Sequence, residues 1–397
     1  MRILNISAQK PNSTGSGVYM TELMKSFNKK GIENAAVCGI DISDKVDIKE
    51  AKEVFPVYFN TEELPFPVVG MSDSMPYEAT RYRDMTPLMQ KQFEEAFINK
   101  VKEAVKSFKP DIILCHHLYF LTSLIREHFP NEKIGAVCHG TDLRQFLKIN
   151  LQNDRTKENI RKLDAAFALH DVQRDEIIDI FDMDPQKVFT IGTGYNSEIF
   201  CQRDVKKDVG VTEIIYAGKI CEKKGVLCLV KAFSKIDTQK KVKLSLAGGY
   251  SHKEEYDRIV SSAKASGKDI EFLGKLSQDE LAERFNRADI FVLPSFFEGL
   301  PLVLAEALAC NLKVLATDLP GVKTWIDSHI PHNGIVFIEP PVMENVDEPQ
   351  KASLEEFTKR LKACLEEAVN DYRDTAKVDT TAISWDNVSK KITDHLN

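Results

Sequence analysis

The sequence predicts an α/β protein of two domains, each a parallel sheet with helices wound over both faces. Three observations predict it. Short apolar, β-branched runs alternate with amphipathic helical stretches along most of the chain, the pattern of parallel strands joined by helical crossovers. The 397 residues exceed one ordinary core and suit two domains of about 150–200 residues. A polar, turn-rich stretch without a strong period, Gly194 to Gly210, separates the strand runs into two sets.

The first set is Arg2–Ser7, Asn34–Ile40, Val54–Phe59, Asp111–His117, Lys133–His139, Ala165–His170 and Val188–Gly194. The second is Glu213–Lys219, Val242–Gly248, Ile270–Lys275, Asp289–Ser295, Lys313–Asp318 and Gly334–Glu339. We therefore expect a Rossmann-like N-terminal domain over 1–195 and a Rossmann-like C-terminal domain over 196–375, their parallel sheets facing each other across a cleft. Residues 376–397 end in an amphipathic helix from about Trp385 to Leu396, expected to pack back toward the first domain. Residues 60–90, with Pro65, Pro67, Gly70, Pro76 and Pro87, interrupt the alternation and read as a long functional or mobile loop.

Composition excludes several classes. Lys and Arg number 53 against 60 Asp and Glu, a formal charge of -7, so the overall field repels nucleic acid, and an anion site must be a local cationic pocket. The eight cysteines form no C-x-x-C pair and several sit in apolar runs, as reduced, buried thiols do in a cytoplasmic protein. Met1–Ile6 is a strand-like run with no apolar signal region behind it, and no apolar stretch approaches the roughly 20 residues of a membrane helix. A cytoplasmic location is expected, and a peripheral contact with the inner face of a membrane is compatible with it.

Ligands of such sheets bind beyond the carboxyl ends of the strands, which directs attention to the residues after each apolar run. In FVLPSFFEGLPLVLAEALAC (291–310) a strand ends near Ser295, a Gly-containing turn follows, and Pro301 suits the first turn of a helix. Amides around Gly299, Leu300 and Leu302, with the positive end of the helix dipole behind them, suit a diphosphate. Local chemistry alone favours a plain strand, turn and buried helix with Glu306 at its rim. The segment resembles the E-x7-E region of the family-four retaining glycosyltransferases of the GT-B fold, with Ala288–Ile290, Pro294–Ser295 and Asp318–Gly321 in matching order. The resemblance implies that Glu298 hydrogen-bonds donor-sugar hydroxyls and Glu306 the ribose hydroxyls of the nucleotide.

The stretch YAGKICEKKG (216–225) places cations where a strand ends at Gly218; on its own it also fits a solvated lysine cluster. It is similar to the family's G-R-x4-K-G stretch, which implies that Lys224 grips the donor diphosphate. Lys219 stands where Arg is usual, so a point charge replaces a bidentate fork. These cations and the helix amides would stabilise the leaving diphosphate. Together they make an obligatory metal unnecessary. The acidic pairs Asp41/Asp44 and Asp182/Asp184 read as solvated turns.

AVCHGTD (136–142) follows ILCHH (113–117). The first resembles the family's N-domain motif, which implies a hydrogen bond from His139 to a sugar hydroxyl. His116, His117 and Asp142 are weaker candidates for the acceptor side, and the three histidines lack a closing ligand at metal spacing. Tyr77 and Arg81 are further weak acceptor candidates. STGSGVY (13–19) fails the dinucleotide fingerprint because position 20 is Met. It is similar to the family's glycine-rich loop, so Gly15 and Gly17 are expected to allow close approach of donor phosphates and acceptor. Gly274, Lys275 and Leu276 resemble the stretch whose backbone embraces the nucleotide base.

The reading that results is a metal-independent hexosyltransferase. It takes a nucleotide-diphosphate sugar, expected to be a UDP-sugar, and no cofactor. It acts with retention and same-face attack on a glycan, lipid-linked sugar or small-molecule hydroxyl. Two alternatives stay open: a nucleotide-sugar epimerase, and a non-catalytic sugar-nucleotide-binding protein.

Overall fold

A computed structural model describes residues 1–72, 75–207, 210–345, 348–371 and 378–396. The chain divides into two compact units, Met1–Gly194 with Trp385–Asn397, and Tyr195–Ser384. The expected boundary at 375/376 lies outside the described residues.

In the first unit the order is β1 (Arg2–Ser7), α1 (Gly15–Lys29), β2 (Glu33–Asp41), β3 (Glu53–Phe59), β4 (Val69–Gly70), β5 (Thr80–Arg81) and α2 (Pro87–Phe108). There follow β6 (Ile112–His116), α3 (Phe120–His128), β7 (Ile134–Val137), α4 (Asp142–Lys148), α5 (Asn153–Ile160), β8 (Ala165–Ala168), α6 (Asp171–Phe181) and β9 (Val188–Thr190). Seven parallel strands pair in the order β3-β2-β1-β6-β7-β8-β9. Their runs are continuously apolar because helices cover both faces; Ile3, Leu4, Ile113, Leu114 and Ala166 are fully buried. Thr86 caps α2 by accepting from the Met89 amide, Pro87 occupies the first turn, and Phe93, Phe97, Val101 and Phe108 bury one stripe.

Among the described residues of 60–90, expected as a long functional or mobile loop, part is regular structure and part joins the core. β4 and β5 pair in parallel, and Leu64, Phe66, Val68, Met71 and Tyr82 join the first unit's core. Burial of these apolar side chains outweighs the breaking effect of the prolines.

In the second unit the order is β10 (Val211–Ala217), α7 (Val226–Ser234), β11 (Lys241–Ala247), α8 (Lys253–Ala265), β12 (Ile270–Gly274), α9 (Gln278–Arg287) and β13 (Ile290–Leu293). It continues through α10 (Leu302–Ala309), β14 (Lys313–Thr317), α11 (Val322–His329), β15 (Val336–Ile338) and α12 (Leu354–Asn370). The six parallel strands run β12-β11-β10-β13-β14-β15.

The last helix, α13 (Trp385–Leu396), belongs to the first unit. Ser26 on α1 meets the Ser389 hydroxyl at 2.8 Å, and Lys30 donates to the Asp386 carbonyl at 2.6 Å. Leu396 packs where a side chain on Gly135 of β7 would stand, 2.7 Å from a Cβ built there. Trp385 sits edge-on to Tyr19 of α1, ring centroids 4.8 Å apart.

Candidate functional site

Both sheets have a point where the strand order reverses, between β1 and β6 in the first and between β10 and β13 in the second. Loops diverge there and leave a crevice at the carboxyl ends. The predicted residues that follow β1, β6, β10 and β13 lie beside these two points, whereas Gly274, Lys275 and Leu276 lie at the end of the edge strand β12 and just after it, and Tyr77 and Arg81 lie in the segment before α2.

In the second unit, β10 leads through Gly218 into a single 3-10 turn, Glu222–Lys224, and Gly225 then takes a left-handed φ of 68° to start α7. A Cβ on Gly225 would stand 1.9 Å from the Pro294 carbonyl oxygen, so only glycine lets this turn close on the β13 exit. The Phe296 amide donates to the Lys223 carbonyl at 3.1 Å, joining the two loops. Across that junction Lys224 Nζ pairs with Glu298 Oε2 at 2.7 Å and reaches the Phe297 carbonyl at 3.4 Å. Both side chains keep part of their surface in water, 28% for Lys224 and 17% for Glu298, so a ligand can reach them.

Helix α10 begins one residue later than the sequence suggested. Pro301 is its N-cap, with an extended ψ of 110°, and Leu302 is the first helical residue. Gly299 and Leu300 therefore lie in the preceding turn, not in the helix. Glu306 is half-buried in α10, and the Cys310 amide donates to its carbonyl at 3.2 Å. Burial foremost, with Glu306 among the nearby charges, pushes the Cys310 thiol up to about 12. Lys219 is half-buried and its carbonyl accepts from Tyr216 Oη at 2.8 Å. Gly274 has a φ of 71° and Lys275 is exposed, its stem lying where a side chain on Gly249 would stand. Leu276 is half-buried in the turn before α9.

In the first unit the crevice holds a polar cluster. Asp142 is fully buried at the first residue of α4. Its Oδ2 accepts from the amides of Leu118 at 2.7 Å and His139 at 2.8 Å, and its Oδ1 meets His117 Nδ1 at 2.7 Å. Burial opposes that carboxylate's charge, but His117 and the His139 amide outweigh it and hold its pKa below the ordinary value. His117 has a left-handed φ of 85°, a conformation a non-glycine residue keeps only where its surroundings fix it. Its Nε2 meets the Ser16 hydroxyl of α1 at 3.0 Å.

His139 packs edge-on against Tyr19 at 5.1 Å and beside His117 at 4.7 Å. Burial, then the neighbouring His117, push its pKa down to about 3. Its Nε2 is buried without a hydrogen-bond partner among the described residues. A neutral imidazole with an unused nitrogen suits a ligand hydroxyl. His116, also held well below its ordinary value by burial, lies 3.4 Å from Asn5 Oδ1. Asn5 donates from its amide nitrogen to Asn34, so its oxygen receives the His116 N–H.

The structure separates the two glycines of the first loop. A Cβ on Gly17 would stand 2.8 Å from the Asn12 nitrogen, so its close approach is to its own loop, whereas Gly15 faces open space. Tyr77 lies under the Lys10 ammonium, 4.9 Å from the ring centroid, and Arg81 Nε pairs with Asp84 at 2.5 Å on the surface. The Asp41 carboxylate accepts from the Ser43 amide, and Asp184 accepts from the Gln186 amide, so both acidic pairs stand in turns. Among the described residues no group of three or more His, Cys, Asp and Glu is placed to hold a metal ion.

Sequence reasoning passed over Gly225 and Ser16, although both lie in segments it singled out. A glycine directly before an apolar helical run was the available signal for Gly225. Ser16 had none, because its partner His117 is 101 residues away.

Residues 200–368 match the profile of the family described as Glycosyl transferases group 1. The match lies within the second unit. N-acetyl-alpha-D-glucosaminyl L-malate synthase of Bacillus anthracis is 24% identical over 331 residues, 80% of this chain and 79% of that protein. HepE of Anabaena, solved with UDP and glucose, superposes with a TM-score of 0.71 over 100% of this chain and 99% of its own, at 13% identity. Sucrose-phosphate synthase of Thermosynechococcus elongatus gives 0.68 over 99% and 97%, at 15% identity. Likeness at that identity establishes the fold, which is GT-B. No helix among the described residues is long and apolar enough to cross a membrane.

Proposed function

We propose that this glycosyltransferase moves a hexosyl group from a nucleoside diphosphate sugar to an acceptor hydroxyl, with retention and without a metal ion. The observation that carries the reading is the Lys224–Glu298 pair at the strand-order reversal of the second sheet, beside the start of α10. An arriving diphosphate offers Lys224 a stronger anionic partner and receives the first amides of α10. Glu298 is then released to accept from hydroxyls of the donor sugar, while Glu306 accepts from the ribose. His139, neutral and with a vacant ring nitrogen, takes a further hydroxyl. The complex of HepE with UDP and glucose makes UDP-sugars the donors to try first.

In the reaction the bond from the anomeric carbon to the phosphate oxygen breaks as the acceptor oxygen bonds to the same face. The acceptor's proton passes to the departing phosphate oxygen. Lys224, Lys219 and the α10 amides stabilise the charge that grows there. Supply of that positive charge by the chain itself supports metal independence. The test is a thermal-shift screen of UDP-, GDP- and ADP-sugars, followed by NMR of the product formed from the donor that stabilises the protein. The account expects one base to raise the melting temperature and an unchanged anomeric configuration in the product. An inverted product, or loss of activity on chelation restored by a divalent cation, would remove the mechanism proposed.

A further inference from the structure

Beyond His139, the strand-order reversal of the first sheet holds Ser16, His117 and Asp142 in a line. Asp142, ionised and accepting two amides through Oδ2, presents Oδ1 as an acceptor only, so a His117 ring with a single proton carries it on Nδ1. Nε2 must then accept, and the partner that can donate to it is the Ser16 hydroxyl, 3.0 Å away. With its proton committed inward, the half-buried Ser16 oxygen has lone pairs left for a donor. Gln9 Oε1, an acceptor 3.4 Å away, competes for that proton only at longer range than His117, and the Thr14 hydroxyl lies 3.0 Å from the Ser16 oxygen. A fully buried carboxylate and a left-handed histidine backbone hold the ring in place against this hydroxyl.

We propose that Ser16 recognises a ligand hydroxyl by accepting its proton in a hydrogen bond, and that His117 and Asp142 are positioning residues that set this sense. The ligand class is a sugar or polyol, and the assignment rests on the glycosyltransferase reading. The titratable groups around His117 are Asp142 and His139 from the β7–α4 connection and His116 from β6; Tyr82 lies near Asp142 with Tyr119 beside it, both phenols kept protonated by burial. Protonating His117, or forcing its other tautomer, turns Nε2 into a donor. Ser16 then points its own proton outward and the subsite changes from acceptor to donor.

Asp142→Asn tests this with little change of shape. The amide oxygen can keep the Leu118 and His139 amides while the NH2 donates to His117 Nδ1 and so forces the Nε2–H tautomer. Nitrogen-15 NMR of histidine-labelled full-length protein is expected to report Nδ1–H for His117 in the wild type and in Ser16→Ala, and Nε2–H in Asp142→Asn. Nε2–H in the wild type would overturn the assignment.

Deoxyfluoro sugars supply the second reading, since fluorine cannot donate. One of the UDP-deoxyfluoroglucoses, or one of the free deoxyfluoroglucoses added with UDP, is expected to bind the wild type about 3- to 10-fold more weakly than its parent, the loss of one hydrogen bond. Ser16→Ala and Asp142→Asn should both abolish that discrimination. Its appearance among the UDP-sugars places the hydroxyl on the donor, and among the free sugars on the acceptor. UDP binding with no Ser16-dependent discrimination in either series refutes the subsite alone, whereas failure of UDP-, GDP- and ADP-sugars alike to bind the wild type refutes the glycosyltransferase reading.

Discussion

The buried imidazoles make the first unit sensitive to acid, and the chain carries its own reporters. Its two tryptophans fall one in each unit, Trp325 in the second and Trp385 in the first, the latter packed on Tyr19 and through it on His139. In a Trp325→Phe background the fluorescence of Trp385 follows the first unit alone, which matters because a two-domain chain need not unfold in one step.

His139 titrates near 6.5 when unfolded and is pushed down to about 3 when folded. Between those values the unfolded chain binds more protons, so stability is full above pH 6.5 and declines as pH falls toward 3. At pH 5 the His139 share of the loss is about 1.5 pH units at 1.36 kcal/mol each, or about 2 kcal/mol. His116 adds loss of the same sign. The opposing carboxylate Asp142, with a depressed pKa, gives up its contribution only in more acid solution.

Urea titrations at pH 7.5 and 5 are expected to show His139→Asn losing about 2 kcal/mol less than the wild type over that interval. A variant that loses as much stability as the wild type would refute the claim that His139 is held neutral.

Further outcomes follow from the second unit and from α13. Lys224→Met is expected to weaken UDP-sugar binding by about 10- to 100-fold, as loss of a charged hydrogen bond does, at a stability cost of about 1 kcal/mol or less; calorimetry and thermal melts separate the two, and unaltered affinity counts against the diphosphate role. Gly225→Ala, forced into a left-handed backbone against the Pro294 carbonyl, should lower UDP affinity together with the second unit's stability, read from Trp325 in a Trp385→Phe background. An unchanged melt and affinity would show that the turn has another way to close. Trp385→Ala should destabilise the first unit by about 3 kcal/mol or more, the cost of a large buried aromatic, followed by circular dichroism. A loss below about 1 kcal/mol would mean α13 is only loosely docked.

The strands were legible because parallel strands buried on both faces read as unbroken apolar runs, and each predicted run contains the observed strand or overlaps it within a few residues. The Rossmann-like pattern followed from that alternation. The helix starting after Pro301 was one residue out because a proline fits both the N-cap and the first turn, and only its ψ decides. Residues 60–86 misled because three prolines and a glycine punctuate a segment whose apolar side chains nevertheless find the core.

Of the candidate site, the positions of Lys224 and Glu298 were readable from motif spacing, but their mutual pairing was not, since it joins residues 74 apart through two loops. The Gly15 and Gly17 pair looked equivalent in sequence. Which of them meets backbone and which faces open space depends on the path of residues 10–12. The Ser16–His117–Asp142 line was invisible for the same reason: three loops from three strand ends meet only once the sheet order is set.

The most direct measurement is a crystal structure with UDP-glucose bound. The account predicts the pyrophosphate within hydrogen-bond reach of Lys224 and the amides opening α10, ribose on Glu306, and glucose hydroxyls on Glu298 in place of its present lysine partner. UDP-glucose bound with the Lys224–Glu298 pair unbroken and no phosphate beside α10 would contradict it.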